Sequence, residues 1–159
     1  MIWGEIMYIL YLIVWVGYLA VLTYIVLFKG TWDNTQSFIK MLQQSEGITK
    51  RQKVYLIPFE STRIFIENWE YAYAKWNIFG NMLLFLPFGF LLGLVLHGRK
   101  GVLTTLFLGF VTSFSFEIIQ YLYAIGEFDV DDIMLNVLGA MFGFFLCEII
   151  NRLVKRTHL

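Results

Sequence analysis

Long apolar stretches separated by polar segments dominate this chain. Residues 6–28 carry no charge, and at ~1.5 Å of rise per residue such a helix crosses a ~30 Å hydrocarbon core. Further apolar runs follow at about residues 78–97, 102–125 and 133–150. The pattern predicts an all-α membrane protein with four transmembrane helices. We expect the first helix to stay in the mature chain, because no basic region precedes it and no small-residue cleavage motif follows it.

The segment 29–77, between the first two spans, is too polar to cross the membrane and too aromatic for a plain linker. Apolar residues recur in it at helical spacing: Phe38, Ile39 and Leu42, then Trp69, Tyr73 and Trp76. This pattern is typical of an amphipathic segment lying on the membrane surface. Packing within a small extramembrane cap explains it equally well.

The amino-acid composition excludes several classes of function. The chain has 159 residues, of which 58% are hydrophobic and 15% charged, so we expect one membrane domain covering residues 1–159. The net charge is zero and the basic residues form no stripe, so nucleic acid is not an expected partner. With one cysteine, Cys147, an intrachain disulfide is impossible. We expect neither a metal site nor a cofactor.

Basic residues near the helix ends give the orientation. Side A is defined as the side holding both termini and the 97–101 turn, and side B as the side holding the 29–77 segment and the 126–132 turn. Side B has more basic residues in total, but those of side A lie in short segments beside helix ends, and the 126–132 turn carries only acidic charges. We therefore place side A, with both termini, in the cytoplasm of a bacterial cell membrane.

Polar side chains within the spans are the most informative feature, because they are costly in hydrocarbon. Six of them fall in the half of the membrane nearest side B: Asn81, Glu117, Gln120, Asp129, Asp132 and Asn136. Glu117 and Gln120 share a helix face, as do Asp132 and Asn136, and Asp132 is the expected N-cap of the fourth span. Glycine pairs with four-residue spacing permit close helix packing: Gly89 with Gly93, and Gly139 with Gly143. We predict that the six line a polar, ligand-binding cleft on side B.

Amides in a membrane bundle often only hydrogen-bond between helices, but a buried Glu117 carboxyl must be protonated or meet a cation. No Lys or Arg occurs between Gly101 and Asn151, so such a cation would come from the 29–77 segment or from a ligand.

Glu148 lies beside Arg152 near side A, where a surface ion pair suffices. Ser113 and Ser115 lack a nearby base and are interpreted as packing residues.

Four motifs in register resemble the VanZ-like family over about residues 55–145. They are Leu56-Ile57-Pro58-Phe59, then Asn81 with Leu84-Phe85-Leu86-Pro87-Phe88-Gly89, then Glu117-Ile118-Ile119-Gln120, and lastly Asp129-x-x-Asp132-x-x-x-Asn136-x-x-Gly139-x-x-x-Gly143. The resemblance implies a small polytopic bacterial membrane protein, in a family named for a member that lowers susceptibility to teicoplanin, a lipid-tailed glycopeptide. It also implies that the six polar positions recur in the family. One departure is that Gly126-Glu127-Phe128 lacks the Arg that often precedes the last motif.

Three functions fit these observations. The first is binding of an amphiphile, either a membrane lipid or a lipidated antibiotic, in the side-B cleft, which would contribute to glycopeptide resistance. The second is a membrane-embedded enzyme acting on a lipid or cell-envelope precursor, with Glu117 as acid or base and a divalent cation on Asp129 and Asp132. The third is a small transporter, which would require a homo-oligomer. No catalytic residue is assigned.

Overall fold

Helices form almost all of the described chain. The computed structural model describes residues 2–28, 53–123 and 125–157. In chain order the elements are α1 (Ile2–Phe28), β1 (Val54–Tyr55), α2 (Glu60–Glu67), α3 (Ala72–Val95), α4 (Gly98–Leu122), β2 (Phe128–Asp129) and α5 (Val130–Thr157). Within those residues, α1, α3, α4 and α5 are long and apolar enough to cross a membrane. The protein is therefore a multi-pass membrane protein with an all-α fold, as predicted.

The span boundaries differ from the prediction on side B. α3 begins at Ala72, so Tyr73 and Trp76, which were expected on the membrane surface, lie in its first turns. The reason is that tyrosine and tryptophan favour the headgroup level whether they lie on a surface helix or at the end of a span. Trp69 lies between α2 and α3 and packs edge-on against Phe79 at 5.7 Å. The predicted helical repeat of Phe38, Ile39 and Leu42 falls outside the described residues.

Glycines bring α3 and α5 into backbone contact. Gly89 faces the Ala140 carbonyl, Gly139 faces the Met82 carbonyl, and Gly143 faces the Leu86 carbonyl. A Cβ atom at any of these glycines would overlap the facing oxygen. The two helices therefore run parallel in close contact, and the predicted role of the small-residue faces is confirmed.

An aromatic core fills the space between α1, α3 and α4. Phe85 and Phe88 on α3 are fully buried, with ring centroids 5.6 Å apart. Phe116 on α4 meets Phe85 edge-on at 6.3 Å. Trp15 on α1 packs on Phe88 at 5.4 Å. This cluster joins α1, α3 and α4 near the middle of the bundle.

Two side chains hold α1 against the bundle. The Tyr18 hydroxyl donates a hydrogen bond to the Leu84 carbonyl on α3. Gln120 on α4 donates through Nε2 to the Val26 carbonyl at 3.0 Å. Val26 lies in the last turn of α1, where carbonyls have no partner within the helix, so Gln120 satisfies one end of that helix.

Candidate functional site

Asp131, near the start of α5, fastens α2 to the membrane bundle. Its carboxylate accepts hydrogen bonds from the Phe59 N–H at 2.6 Å, the Ser61 hydroxyl at 2.9 Å and the Thr62 N–H at 2.9 Å. The first N–H groups of a helix have no partner within it, and Phe59, which precedes α2, provides no side-chain cap. Asp131 therefore caps α2 from another part of the chain.

The backbone conformation of the turn Leu56–Phe59 allows the contact between the Phe59 N–H and Asp131. Phe59 has φ of 68°, the left-handed region, which is uncommon for a residue with a side chain. That conformation directs the Phe59 N–H toward Asp131, while the Phe59 side chain stays 64% exposed. The segment Leu56-Ile57-Pro58-Phe59 thus forms a turn held by a buried carboxylate.

Three acidic residues, Asp131, Asp129 and Glu117, are linked by hydrogen bonds from this turn into the bundle, and we call them the acidic ladder. The Asp131 N–H donates to Asp129 Oδ1 at 2.8 Å, and the Asp129 N–H donates to Glu117 Oε2 at 2.9 Å. Beside the ladder, β1 and β2 pair in parallel, with Val54 opposite Phe128. The ladder connects α4, β2 and α5 at side B.

Burial raises the pKa of Asp129, although hydrogen bonds from Ser61 and from the backbone N–H groups of Asp131 and Asp132 oppose the rise. The carboxyl is therefore protonated at a higher pH than an ordinary aspartate.

The other predicted site residues lie at the same level. Asn136 is 4% exposed and donates through Nδ2 to the Ser113 hydroxyl at 2.8 Å, which ties α5 to α4. Asn81 is 4% exposed on α3, one residue before the Met82–Gly139 contact. Asp132 is partly buried. Asn81, Glu117, Gln120, Asp129 and Asn136 are thus all buried at the side-B end, while their role in ligand binding stays a prediction.

The structure changes two expectations about the acidic residues. α5 begins at Val130. The Asp131 N–H, in the first turn of this helix, donates a hydrogen bond to the Asp129 side chain. Asp129 therefore takes the N-cap position that was expected of Asp132. Asp131 was not predicted as a site residue, although its carboxylate accepts three hydrogen bonds from residues about 70 positions earlier in the chain.

Glu117 has a partner that the sequence did not indicate. One partner of its carboxyl is the Asp129 backbone N–H, at 2.9 Å, whereas the sequence led us to expect protonation or a cation; this contact is compatible with either protonation state of the carboxyl. Glu117 is 3% exposed. A backbone donor stabilises a buried carboxylate without a charged residue.

Polar residues elsewhere behave as packing and surface residues. Glu148 on α5 lies 3.1 Å from His97 Nδ1 and 4.0 Å from Arg152, so the predicted surface ion pair is confirmed. Ser115 donates to the Val111 carbonyl in its own helix. Among the described residues, no group of three or more His, Cys, Asp or Glu side chains is arranged to hold a metal ion.

An apolar groove runs along the side-B end of α4 and α5. Its volume is about 570 Å³, within the ~300–1,000 Å³ range of small-molecule sites. Leu56 and Phe128 belong to its lining, so the groove lies directly beside the acidic ladder. Its lining consists of apolar residues: Leu56, Phe110, Phe114, Phe128, Val130, Ile133, Met134, Val137 and Leu138. None of the six predicted polar site residues is in that lining.

Aromatic packing gives the groove a firm wall. The rings of Phe110 and Phe114 stack at 5.6 Å, and Phe128 meets Phe114 edge-on at 6.1 Å. Such pairs add to the stability gained from burial alone. The wall therefore depends on β2, which the acidic ladder holds in position.

Comparison with known proteins finds one family over most of the chain. A family model described as VanZ/LLP1 matches residues 9–151. The chain is similar to Protein VanZ of Enterococcus faecium, with 32% identity over 142 residues, which are 89% of this chain and 76% of that protein. No solved structure matches the chain. The family match covers most of each of the four spans, both strands and the acidic ladder, so this chain belongs to the VanZ/LLP1 family.

Proposed function

We propose that this protein binds an amphiphile at the outer side of the bacterial membrane, with the apolar tail in the α4–α5 groove. The ligand class is a membrane lipid or a lipid-tailed glycopeptide such as teicoplanin, and binding contributes to glycopeptide resistance. The observation that carries the proposal is the groove itself, which is apolar along its length and ends beside the turn Leu56–Phe59. Family membership supports the same interpretation.

Binding energy in this site comes from the tail. Removing an apolar chain from water contributes ~0.8 kcal/mol per CH₂ group, but a lipid tail already lies in hydrocarbon, so packing against the aromatic wall decides selectivity. The rings of Phe110, Phe114 and Phe128 provide a fixed surface for that packing.

The polar residues support the groove in this account. Glu117, Asp129 and Asp131 hold β2 and the turn Leu56–Phe59 against the bundle. The enzymatic alternative needs a substrate within hydrogen-bond reach of Glu117. Because Glu117 is 3% exposed and is absent from the groove lining, the geometry favours binding over catalysis.

Replacing Leu138 by tryptophan is expected to weaken binding about tenfold, because the indole occupies the groove. Leu138 lines the groove and is 47% exposed, so the change leaves the core intact. The measurement is titration of the purified full-length protein, in detergent, with a fluorescent phospholipid and a fluorescent teicoplanin-type lipoglycopeptide.

Phe145 supplies the matched control. It lies on the same helix, is also 47% exposed, and is outside the groove lining, so Phe145→Trp should bind like the unmodified protein. Cells producing the Leu138→Trp protein should lose any protection against teicoplanin, while the Phe145→Trp protein keeps it. Equal affinity of the two variants for both probes would exclude the groove as the binding site.

A further inference from the structure

The turn Leu56–Phe59 separates two concave surfaces. Leu56 belongs to the apolar groove, and the next three residues form one wall of a second depression of about 600 Å³ beside α2. The rest of that depression contains both charge signs: Glu60, Arg63 and Glu67, with Ile64 between them. A molecule lying across Leu56 would therefore have an apolar half on one side of the turn and a charged half on the other.

The charges in the depression are available to a ligand. Arg63 Nε lies 2.8 Å from Glu67 Oε1, and these two side chains are 79% and 57% exposed. An exposed ion pair one helical turn apart is weak, so an incoming anion can replace the Glu67 carboxylate on the guanidinium at little cost. Glu60 is also exposed. One cationic and two anionic groups thus line the same depression.

We propose that this depression is the headgroup subsite of the amphiphile site, and that it selects a zwitterionic phospholipid with a primary ammonium group. The inference rests on the proposed function, since the tail of the same lipid lies in the α4–α5 groove. Arg63 binds the phosphate, for which a guanidinium fork is well suited. Glu60 and Glu67 accept hydrogen bonds from the ammonium.

Other headgroups fit the charges less well. A quaternary ammonium offers no N–H to the two carboxylates and is better recognised by aromatic rings. An anionic headgroup without an amine carries the same phosphate but no ammonium to interact with Glu60 and Glu67, so the phosphate's repulsion from the two carboxylates is not offset. The depression therefore favours an ethanolamine headgroup over choline or glycerol headgroups with the same tails.

Native mass spectrometry of the full-length protein tests this selectivity. The purified protein is incubated in detergent with equal amounts of phosphatidylethanolamine, phosphatidylcholine and phosphatidylglycerol of identical tails. We expect phosphatidylethanolamine to be retained about fivefold more than either competitor, the difference that one surface charge contact provides. Equal retention of the three lipids would overturn the proposal.

Two variants assign the preference to its residues. Arg63→Gln is expected to lower phosphatidylethanolamine retention about fivefold, and Glu67→Gln to raise phosphatidylglycerol relative to phosphatidylethanolamine. Lys53→Gln is the matched control, since Lys53 is an exposed cation on the same side and lines neither surface. Arg63 is exposed, so its replacement leaves the fold intact.

The outcomes separate this inference from the proposed function. If Arg63→Gln and Glu67→Gln keep the unmodified protein's preference while Leu138→Trp reduces retention of all three lipids, the headgroup subsite is wrong and the groove stands. If Leu138→Trp leaves retention of the lipids unchanged, both the proposed tail-binding groove and the proposed headgroup subsite are wrong.

Discussion

Replacing Gly143 by alanine is expected to destabilise the protein by about 3 kcal/mol, at the upper end of the cost of overpacking. The new Cβ would overlap the Leu86 carbonyl and lie 2.8 Å from the Phe90 nitrogen. Both neighbours are backbone atoms of α3, so no side chain can turn away. α3 and α5 must separate, which loosens the aromatic core around Phe85 and Phe88. Thermal unfolding of the purified protein in detergent measures the effect.

Gly17→Ala is the control for this substitution. Gly17 lies on α1, and a Cβ there would meet nothing within 4 Å. Alanine is a better helix former than glycine by up to ~1 kcal/mol, so Gly17→Ala should be neutral or slightly stabilising. A Gly143→Ala protein as stable as the Gly17→Ala protein would contradict the close packing of α3 on α5.

Replacing Asp131 by alanine is expected to release the segment 53–67 from the bundle. The change removes three hydrogen bonds, two of them to the Phe59 and Thr62 N–H groups, and hydrogen bonds to a charged group contribute ~1.5–3 kcal/mol each. Water replaces part of these interactions at the released N–H and O–H groups, so we expect a local loss of about 3–5 kcal/mol, less than the sum of the three bonds. Amide hydrogen exchange should rise at residues 54–67 and stay slow in the middle of α3 and α5.

Asp131→Asn and Glu127→Ala complete this test. Asparagine keeps one acceptor oxygen, so Asp131→Asn should give an intermediate increase in exchange. Glu127 is an exposed acid close by in the chain, and Glu127→Ala should leave exchange unchanged. If Asp131→Ala and Glu127→Ala behave alike, Asp131 does not hold α2.

The four spans could be predicted because membrane thickness imposes a length that apolar runs report directly. The close contact of α3 with α5 could also be predicted, since Gly139 and Gly143 have the spacing of a small-residue face. The start of α3 could not, because Tyr73 and Trp76 suit both a surface helix and the end of a span. The ends of a helix depend on capping contacts, which the hydrophobic periodicity of the sequence does not reveal.

The candidate site was only partly predictable. Depth and spacing identified five of the residues that lie buried at the side-B end, among them Glu117 and Asp129. Asp131 was missed because its partners lie about 70 positions earlier in the chain, and no local pattern reports such a contact. The groove was missed because Phe110, Phe114 and Leu138 cannot be told from ordinary lipid-facing residues in the sequence, and only the fold brings Leu56 and Phe128 beside them.

Photocrosslinking with a phospholipid that carries a diazirine at the end of its tail tests the central claim most directly. After irradiation of the full-length protein in vesicles, mass spectrometry locates the labelled residues. The account predicts that labelling concentrates on the groove residues of α4 and α5, between Phe110 and Phe114 and between Ile133 and Leu138, and falls in Leu138→Trp. Labelling spread evenly over the lipid-facing residues of α1, such as Ile13 and Val16, and unchanged in Leu138→Trp would contradict it.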